Sequence, residues 1–215
     1  MTAEIKVEYI DHMGEDLTVA NVARVSFDKW KEEFDEKDAR LIKYLADHEH
    51  TSPFRHTAIT LRCHAPIWLA RQLGKHQVGM SWNETSRRYV EDNFEFYVPE
   101  YRERPEGSIK QGSGGVHPNN DYWQKATVAI QEHCLRAYET MISEGVAPEQ
   151  ARGILPQNMM TSWVWTGSLM AFYHLWRLRS EGHAQIEAQE FAGQIDVVME
   201  ELFPVTWSAM KLADE

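Results

Sequence analysis

Cysteine is scarce in this chain of 215 residues, and its spacing excludes a disulfide-stapled protein. Cys63 and Cys134 are the only cysteines, and no CxxC pair occurs. Two isolated cysteines do not make a disulfide framework. We therefore expect reduced thiols, a cytoplasmic location and structural roles for Cys63 in a strand and Cys134 on a helix.

Long apolar runs and the common phosphate-binding motifs are also missing. No apolar run approaches the roughly 18 residues of a membrane helix, and the start MTAEIKVEYI has no charged leader followed by an apolar core. GxGxxG, P-loop and GxSxG patterns are absent. We therefore expect no membrane span, no signal peptide, no Rossmann or Walker phosphate site and no esterase-type serine nucleophile.

Basic residues are outnumbered, with 22 Lys and Arg against 33 Asp and Glu and a net charge of -11. An acidic chain is poorly suited to broad contact with a nucleic acid polymer. Residues 71–89, RQLGKHQVGMSWNETSRRY, are the exception, because their basic residues face only one acid, Glu84. A local cation cluster in an acidic chain predicts an anionic ligand, and its hydroxyls, amides and glycines suit a nucleotide.

Hydrophobic periodicity predicts one helix-rich α+β domain over residues 1–215 with a small central sheet. Alternating apolar residues predict strands at 5–9, 59–63 and 94–98. Helical spacing with Gly and Pro stops predicts helices at 19–27, 38–48, 66–73, 121–144, 148–156, 168–180 and 184–202. The SWNETS segment and residues 100–120 are predicted as loops.

Two groups of His and acidic residues are candidates for metal ligands. Residues 47–50 read DHEH, and His183 stands four residues before Glu187. Sequence neighbours do not share a helix face, so we interpret the first group as a solvated helix end and the second as an ordinary i,i+4 pair. We predict no metal site. A metal-dependent nucleotide hydrolase and a non-catalytic nucleotide-binding protein stay open as alternative functions.

Arginine at two places suggests how an anion is held. Ser86, Arg87 and Arg88 are consecutive, and guanidinium groups with a serine hydroxyl can cradle a phosphate. Arg177 and Arg179 end a strongly apolar predicted helix, where cations also complement the helix dipole.

Six segments, in order along the chain, resemble those of the flavin-dependent thymidylate synthase family. They are ARVSF at 23–27, HTSPFRH at 50–56, APIWLARQ and SWNETSRRY within 65–89, EFYVP at 95–99, ARGILP at 151–156 and LRSEGHAQIE at 178–187. The resemblance extends over residues 24–204 and implies that family's helix-rich α+β fold.

The resemblance implies an enzyme that makes dTMP from dUMP. In that family methylenetetrahydrofolate gives the carbon, NADPH reduces FAD, and the reduced flavin supplies the hydride. A homotetramer with sites at subunit junctions is implied as well. Because C5 of uracil is a poor nucleophile, a cation must favour the N3-deprotonated base where no thiolate does so. The resemblance assigns this catalytic role to Arg179.

The family's binding residues carry over onto matching positions of this sequence. For the substrate they are Gln72, Lys75, Glu84, Ser86, Arg87, Arg88, Arg152 and Arg179. For FAD they are Ser52, Lys75, His76, Gln77, Glu84, Ser168 and His174. The chain departs from the family's Arg-His-Arg motif, which is followed after seven residues by Ser. Here the motif reads Lys75-His76-Gln77, and eight residues separate it from Ser86. Lys75 keeps the positive charge of the first arginine without its planar guanidinium, and Gln77 replaces the second arginine by an uncharged amide.

Overall fold

The computed structural model describes residues 3–105, 107 and 112–213, which form an antiparallel sheet covered by helices. The strands are β1 (Lys6–Met13), β2 (Ala58–Pro66), β3 (Met80–Glu84) and β4 (Met160–Gly167), in the order β1-β2-β4-β3. The helices are α1 (Asp16–Arg24), α2 (Glu36–Asp47), α3 (Ile67–Leu73), α4 (Asn120–Ser143), α5 (Pro148–Ala151), α6 (Leu169–Ser180), α7 (Ile186–Leu202) and α8 (Pro204–Leu212). Short 3-10 turns lie at Val25–Phe27, Pro53–Arg55 and Arg152–Ile154. The predicted α+β class with a small sheet is confirmed.

The two faces of the sheet differ in polarity, as expected when one face of an antiparallel sheet is covered. On the covered face Leu61 pairs with Trp165 and Cys63 with Trp163, and all four side chains are buried. On the other face the Thr60 and Thr166 hydroxyls lie 3.0 Å apart. This alternation sets the register, because a slip by one residue would bring polar side chains into the core.

Large aromatic side chains form the core between the sheet and the helices. Trp163, Trp165 and Trp207 are buried, and the Trp163 ring stacks on Phe191 of α7 at 5.9 Å. Trp165 meets Phe172 of α6 edge to face at 6.0 Å. Part of the tryptophan surplus in the sequence is therefore core. Among the described residues, no helix combines the length and apolar character needed to cross a bilayer.

Two sequence predictions about the sheet need correction. The SWNETS segment, predicted as a loop, contributes to β3, because Met80 and Trp82 alternate and pair along β4. The segment 94–98, predicted as a strand, makes a single bridge between Phe96 and Met159 just before β4 begins. Strand β4 and helix α8 were not among the predicted elements.

Helix α4 confirms a predicted helix but not the burial of its apolar positions. The helix packs on α5 and on the turn Arg152–Ile154, and it buries Gln131 and Tyr138. Trp123 is 45% exposed and Ile130 is 59% exposed. Helical periodicity identifies an apolar stripe, but it does not say whether the same chain covers that stripe.

A buried carboxylate joins α1 to α2. Asp38 accepts hydrogen bonds from the Lys31 ammonium at 2.6 Å and from the Asp35 main-chain N–H at 2.7 Å, and it pairs with the Arg24 guanidinium. Burial acts to raise the pKa of Asp38, but the hydrogen bonds from Lys31, Asp35 and Arg24 outweigh it and leave that pKa below its ordinary value. The network holds the segment between α1 and α2 through Arg24, Lys31 and Asp35.

We expect Asp38→Asn to lower the free energy of unfolding by roughly 3 kcal/mol near neutral pH, because it removes the buried charge that pairs with the partly buried Arg24 and Lys31. The folded-state pKa of Asp38 lies below its unfolded value, so its stabilising contribution is present above an unfolded pKa of roughly 4. That contribution is lost as the pH falls through the folded-state pKa. Urea unfolding of both proteins over a pH series should show the difference shrinking in acid; a constant difference would contradict this.

Candidate active site

A cavity of about 1120 Å³ lies between the end of α3, the edge strand β3 and the turn Arg152–Ile154. Its walls come from three parts of the chain, within residues 67–77, 80–88 and 152–165. Small-molecule sites commonly measure about 300–1,000 Å³, so this volume suits a nucleotide with space for a second planar group.

Many of the residues predicted for ligand binding line this cavity. Those on the lining are Lys75, His76, Gln77, Glu84, Ser86, Arg87, Arg88 and Arg152. The fold therefore brings the predicted Arg152 to the same walls as the basic segment, although more than sixty positions separate them in sequence.

Five predicted residues lie off this lining. Ser52 precedes the turn Pro53–Arg55, which packs on α6. The Ser168 hydroxyl caps α6 by accepting a hydrogen bond from the Ala171 main-chain N–H at 3.2 Å. His174 is exposed on α6, and Gln72 lies on α3. Arg179 reaches the cavity wall through a hydrogen bond to His76.

Glu84 is held in a defined position at the end of β3. One carboxylate oxygen accepts a hydrogen bond from the Thr161 hydroxyl at 2.7 Å, and the other accepts from the Trp82 indole N–H at 3.4 Å. Strand pairing of β3 with β4 creates this arrangement. Thr161 and Trp82 were missed in the sequence, although the alternation of Met80, Trp82 and Glu84 was the signal that could have found Trp82.

Trp82 forms an aromatic wall of the cavity. One face of its indole stacks on Trp163 at 4.3 Å with an interplanar angle of 17°, and Trp165 meets it edge to face at 5.2 Å. The side chain is only partly buried and also borders the cavity. A Trp supported from behind in this way offers a flat surface to a planar ring.

The adjacent arginines Arg87 and Arg88 differ in their contacts. Arg87 donates to the main-chain carbonyl oxygens of Asp92 at 2.6 Å and Asn93 at 3.3 Å, and it lies over the Phe94 ring. Arg88 is exposed and donates from Nε to the Ser86 hydroxyl at 3.2 Å. In this geometry Arg87 holds the loop that follows and also lines the cavity, and its predicted phosphate contact stays a prediction. Arg88 and Ser86, joined to each other, both line the cavity.

His76 and Arg179 are joined across 103 positions of sequence. The Arg179 Nε–H donates to Nε2 of His76 at 3.1 Å. Burial, and then the nearby Arg179 and His174, lower the pKa of His76 below its ordinary value. The imidazole is therefore neutral at neutral pH, and because Nε2 accepts, its proton resides on Nδ1.

Gly79 allows this segment to approach α6 closely. Its φ of +72° is a left-handed conformation, and a Cβ there would lie 3.3 Å from the Cβ of Ala171. Any other residue would be strained in φ and crowded against α6. The altered motif, with its extra residue before Ser86, thus follows a tight path from α3 to β3.

Two buried groups bear on the chemistry. The Gln72 side-chain oxygen on α3 is buried and has no hydrogen-bond partner among the described residues. The Cys63 thiol is fully buried on β2, and burial raises its pKa above the ordinary value. A thiol in this state is a poor nucleophile. Neither Cys63 nor Cys134 lines the cavity.

The two groups of His and acidic residues considered as metal ligands, residues 47–50 and the pair His183 and Glu187, lie in different parts of the fold. Residues 47–50 span the end of α2, whose last residue is Asp47, and the imidazoles of His48 and His50 pack against Tyr44, with His48 stacked on it at 4.1 Å. The predicted His183–Glu187 helical pair is wrong, because α7 begins only at Ile186 and leaves His183 in the preceding turn. Within residues 3–105, 107 and 112–213, no three His, Cys, Asp or Glu side chains are placed to hold a metal ion together.

Comparison with known proteins identifies the family. Residues 8–205 match the family model described as thymidylate synthase complementing protein. The flavin-dependent thymidylate synthase of Thermotoga neapolitana is 37% identical over 210 residues, which cover 94% of this chain and 89% of that protein. The enzyme of the same name from Thermosipho africanus is 36% identical over 203 residues, 93% of this chain and 88% of that protein.

A solved structure shares the whole fold. The crystal structure of the UMP/dUMP methylase PolB from Streptomyces cacaoi, bound with 5-Br dUMP, superposes with a TM-score of 0.90 at 30% identity. The match covers 98% of this chain and 96% of that one. The chain therefore belongs to the flavin-dependent thymidylate synthase family and is a methyltransferase.

Proposed function

We propose that this enzyme methylates dUMP to dTMP, with methylenetetrahydrofolate as carbon donor, FAD as hydride carrier and NADPH as reductant. The observation that carries the proposal is the cavity, where Lys75, Arg88 and Arg152 gather in an otherwise acidic chain. A nucleoside monophosphate complements this charge and also needs an aromatic wall for its base. The 5-Br dUMP complex of the Streptomyces relative supports dUMP as the substrate.

Arg88 and Ser86 would bind the substrate phosphate. Arg88 is exposed, its Nε is already directed to the Ser86 hydroxyl, and both line the cavity with Arg152. A guanidinium binds phosphate oxygens through two parallel hydrogen bonds, which suits a dianion better than a point charge does. Glu84, held by Thr161, would accept a hydrogen bond from a sugar hydroxyl or a flavin group.

The residues present fit a flavin. Trp82 offers a flat wall to a planar ring, and Lys75 and Gln77 add hydrogen-bond donors to the same cavity just after the end of α3. Ser52, Lys75, His76, Gln77, Glu84, Ser168 and His174 would hold the cofactor. When bound, FAD supplies the hydride that completes the methyl group.

Arg179 would activate the pyrimidine. Its guanidinium can stabilise the negative charge that develops on N3 and the carbonyl oxygens when the base loses its proton, which makes C5 nucleophilic. Helix α6 carries Arg179 on a rigid element, and His76 holds its Nε. The buried thiol of Cys63 is not required for this route.

Replacement of both cysteines tests whether a thiol is needed for the reaction. We expect Cys63→Ala with Cys134→Ala to leave kcat within about twofold, since cysteine contributes no general base or nucleophile to this mechanism. Steady-state dTMP formation measures the rate, and a thermal melt checks that the core tolerates the change. A folded double variant without activity would instead point to thiolate chemistry.

A homotetramer with shared sites is part of the same proposal. The exposed apolar stripe of α4, with Trp123 and Ile130, supports a subunit contact. The positions of Ser52, Ser168 and His174 outside the cavity fit a cofactor site completed by a second subunit. Analytical ultracentrifugation tests the assembly, and activity that declines on dilution in step with dissociation tests the shared site.

The deciding experiment for the reaction is dTMP formation from dUMP by the purified enzyme. We expect product only when FAD, NADPH and methylenetetrahydrofolate are all supplied, and an undiminished rate in EDTA. Release of nucleoside or phosphate that EDTA abolishes would support the metal-dependent hydrolase instead. Absence of dTMP in the complete mixture would refute the proposal.

A further inference from the structure

The geometry points to His76 as a positioning residue for Arg179, a role separate from any contact with the flavin. The neutral imidazole accepts a hydrogen bond from Arg179 and so holds the guanidinium at the cavity wall. This inference rests on the proposed function, because Arg179 matters to catalysis only if it activates the base. Nothing else in the segment 75–77 contacts Arg179 through a hydrogen bond that the structure records.

The hydrogen bond itself constrains the arginine. Arg179 is only partly buried near the end of α6, where a long side chain has many rotamers. Its Nε lies 3.1 Å from Nε2 of His76, which leaves the terminal guanidinium nitrogens available to a ligand. Holding the guanidinium in one orientation before the substrate arrives is the condition for electrostatic catalysis.

The backbone around His76 explains why the imidazole can do this. His76 follows the end of α3, and its main-chain N–H donates to the Leu73 carbonyl oxygen at 2.9 Å. Three residues later Gly79 brings the chain within van der Waals reach of α6. The main chain of His76 is thus hydrogen-bonded to α3, and its imidazole ring is directed toward α6.

Only the uncharged imidazole can accept from Arg179, because an imidazolium has a proton on both nitrogens. The titratable groups that face His76 are Arg179 and His174 on α6, and Lys75 is its neighbour in the chain. Burial first, and then Arg179 and His174, lower the pKa of His76 and favour the neutral form. Protonation in acid would replace the hydrogen bond by repulsion between two cations and release Arg179 from its orientation.

Two substitutions at His76 separate positioning from structure. A Gln side chain keeps an acceptor but does not titrate, whereas a Leu side chain keeps bulk without an acceptor. We expect His76→Leu to lower kcat about 100-fold, the size of effect that misplacement of a catalytic group produces. His76→Gln should keep kcat within about fivefold of wild type. His48→Gln, an exposed change just after the end of α2, serves as the matched control.

The pH profile carries the sharper test, since a merely structural histidine would not shape it. Wild-type kcat should fall in acid as His76 gains a proton below its ordinary pKa of about 6.5, and the ratio of wild-type to His76→Gln kcat should fall with it. All rates are taken at saturating FAD, with FAD affinity measured separately by fluorescence. Equal kcat in Leu and Gln variants, or a constant ratio across pH, would overturn the inference. Loss of FAD affinity alone would assign His76 to the flavin only.

A readout without turnover distinguishes this inference from the proposed function. In ¹⁵N-histidine-labelled enzyme, His76 should show the Nδ1–H tautomer, and Arg179→Ala should raise its pKa. An Nε2–H tautomer in the wild type would overturn the inference even if dTMP forms. The expected tautomer in an enzyme that makes no dTMP would preserve the contact but refute the proposed function.

Discussion

Arg179→Ala is expected to lower kcat for dTMP formation by about 100- to 1,000-fold, the loss seen when one preorganised donor to a developing anion is removed. The guanidinium lies near the end of α6 with its Nε on His76, so the substitution removes the positive charge that we propose to stabilise the deprotonated base. FAD affinity should change far less, because several other residues are predicted to bind the cofactor. Steady-state kinetics and flavin fluorescence titration measure the two effects.

The contrast with neighbouring variants makes the Arg179 result specific. Arg177 lies on the same helix and is exposed, so Arg177→Ala should retain near wild-type kcat. Arg179→Lys keeps the charge but loses the fork that joins His76 and ligand, so we expect an intermediate rate. A normal kcat in Arg179→Ala would remove this residue from the mechanism.

Arg88→Ala should weaken dUMP binding by about 10- to 100-fold, because a charged hydrogen bond contributes about 1.5–3 kcal/mol. Arg88 is exposed and makes its recorded side-chain contacts with Ser86 and the Tyr89 ring, so the fold should persist. Isothermal titration with dUMP measures affinity, and a thermal melt measures stability. Added salt should weaken wild-type binding more than that of the variant, since one phosphate contact has been removed.

The adjacent arginine provides the control for that prediction. Arg87→Ala removes the donors to the Asp92 and Asn93 carbonyl oxygens and the contact with the Phe94 ring. We therefore expect Arg87→Ala to lower the melting temperature, whereas Arg88→Ala should not. A wild-type dUMP affinity in Arg88→Ala would argue against the phosphate cradle. Equal loss of melting temperature in both variants would argue against the separate roles.

Several elements whose signals lie within their own sequence were predicted correctly, because such a signal does not depend on distant residues. Alternation over residues 59–63 lies within β2, and the Gly and Pro punctuation around 145–148 separates α4 from α5. The polar SWNETS segment misled the prediction, because its strand state depends on pairing with β4 through Trp82 and Trp165. Edge strands with polar residues lack a one-dimensional signal when their stabilising partner is distant in sequence.

In the candidate site, too, some features could be predicted from local sequence and others depend on residues that are distant in the chain. The basic segment 71–89 and the resemblance of its motifs pointed to a nucleotide site, and the fold brings Arg152 to the same cavity. Sequence could not separate Arg87 from Arg88, since both are arginines beside one serine. They differ in the structure because the loop 90–93 folds back onto Arg87, which bonds its carbonyl oxygens, and leaves Arg88 paired with Ser86.

By itself, the sequence determined the α+β class, the family and the chemical identity of the groups available for binding, because these follow from residue type and order. Only the tertiary structure decided which groups meet. The pairing of β3 with β4 holds Glu84 by Thr161, and the approach of Gly79 to α6 brings His76 to Arg179. Such contacts join residues about 77 to 103 positions apart, so their existence depends on packing of the whole chain rather than on any local pattern.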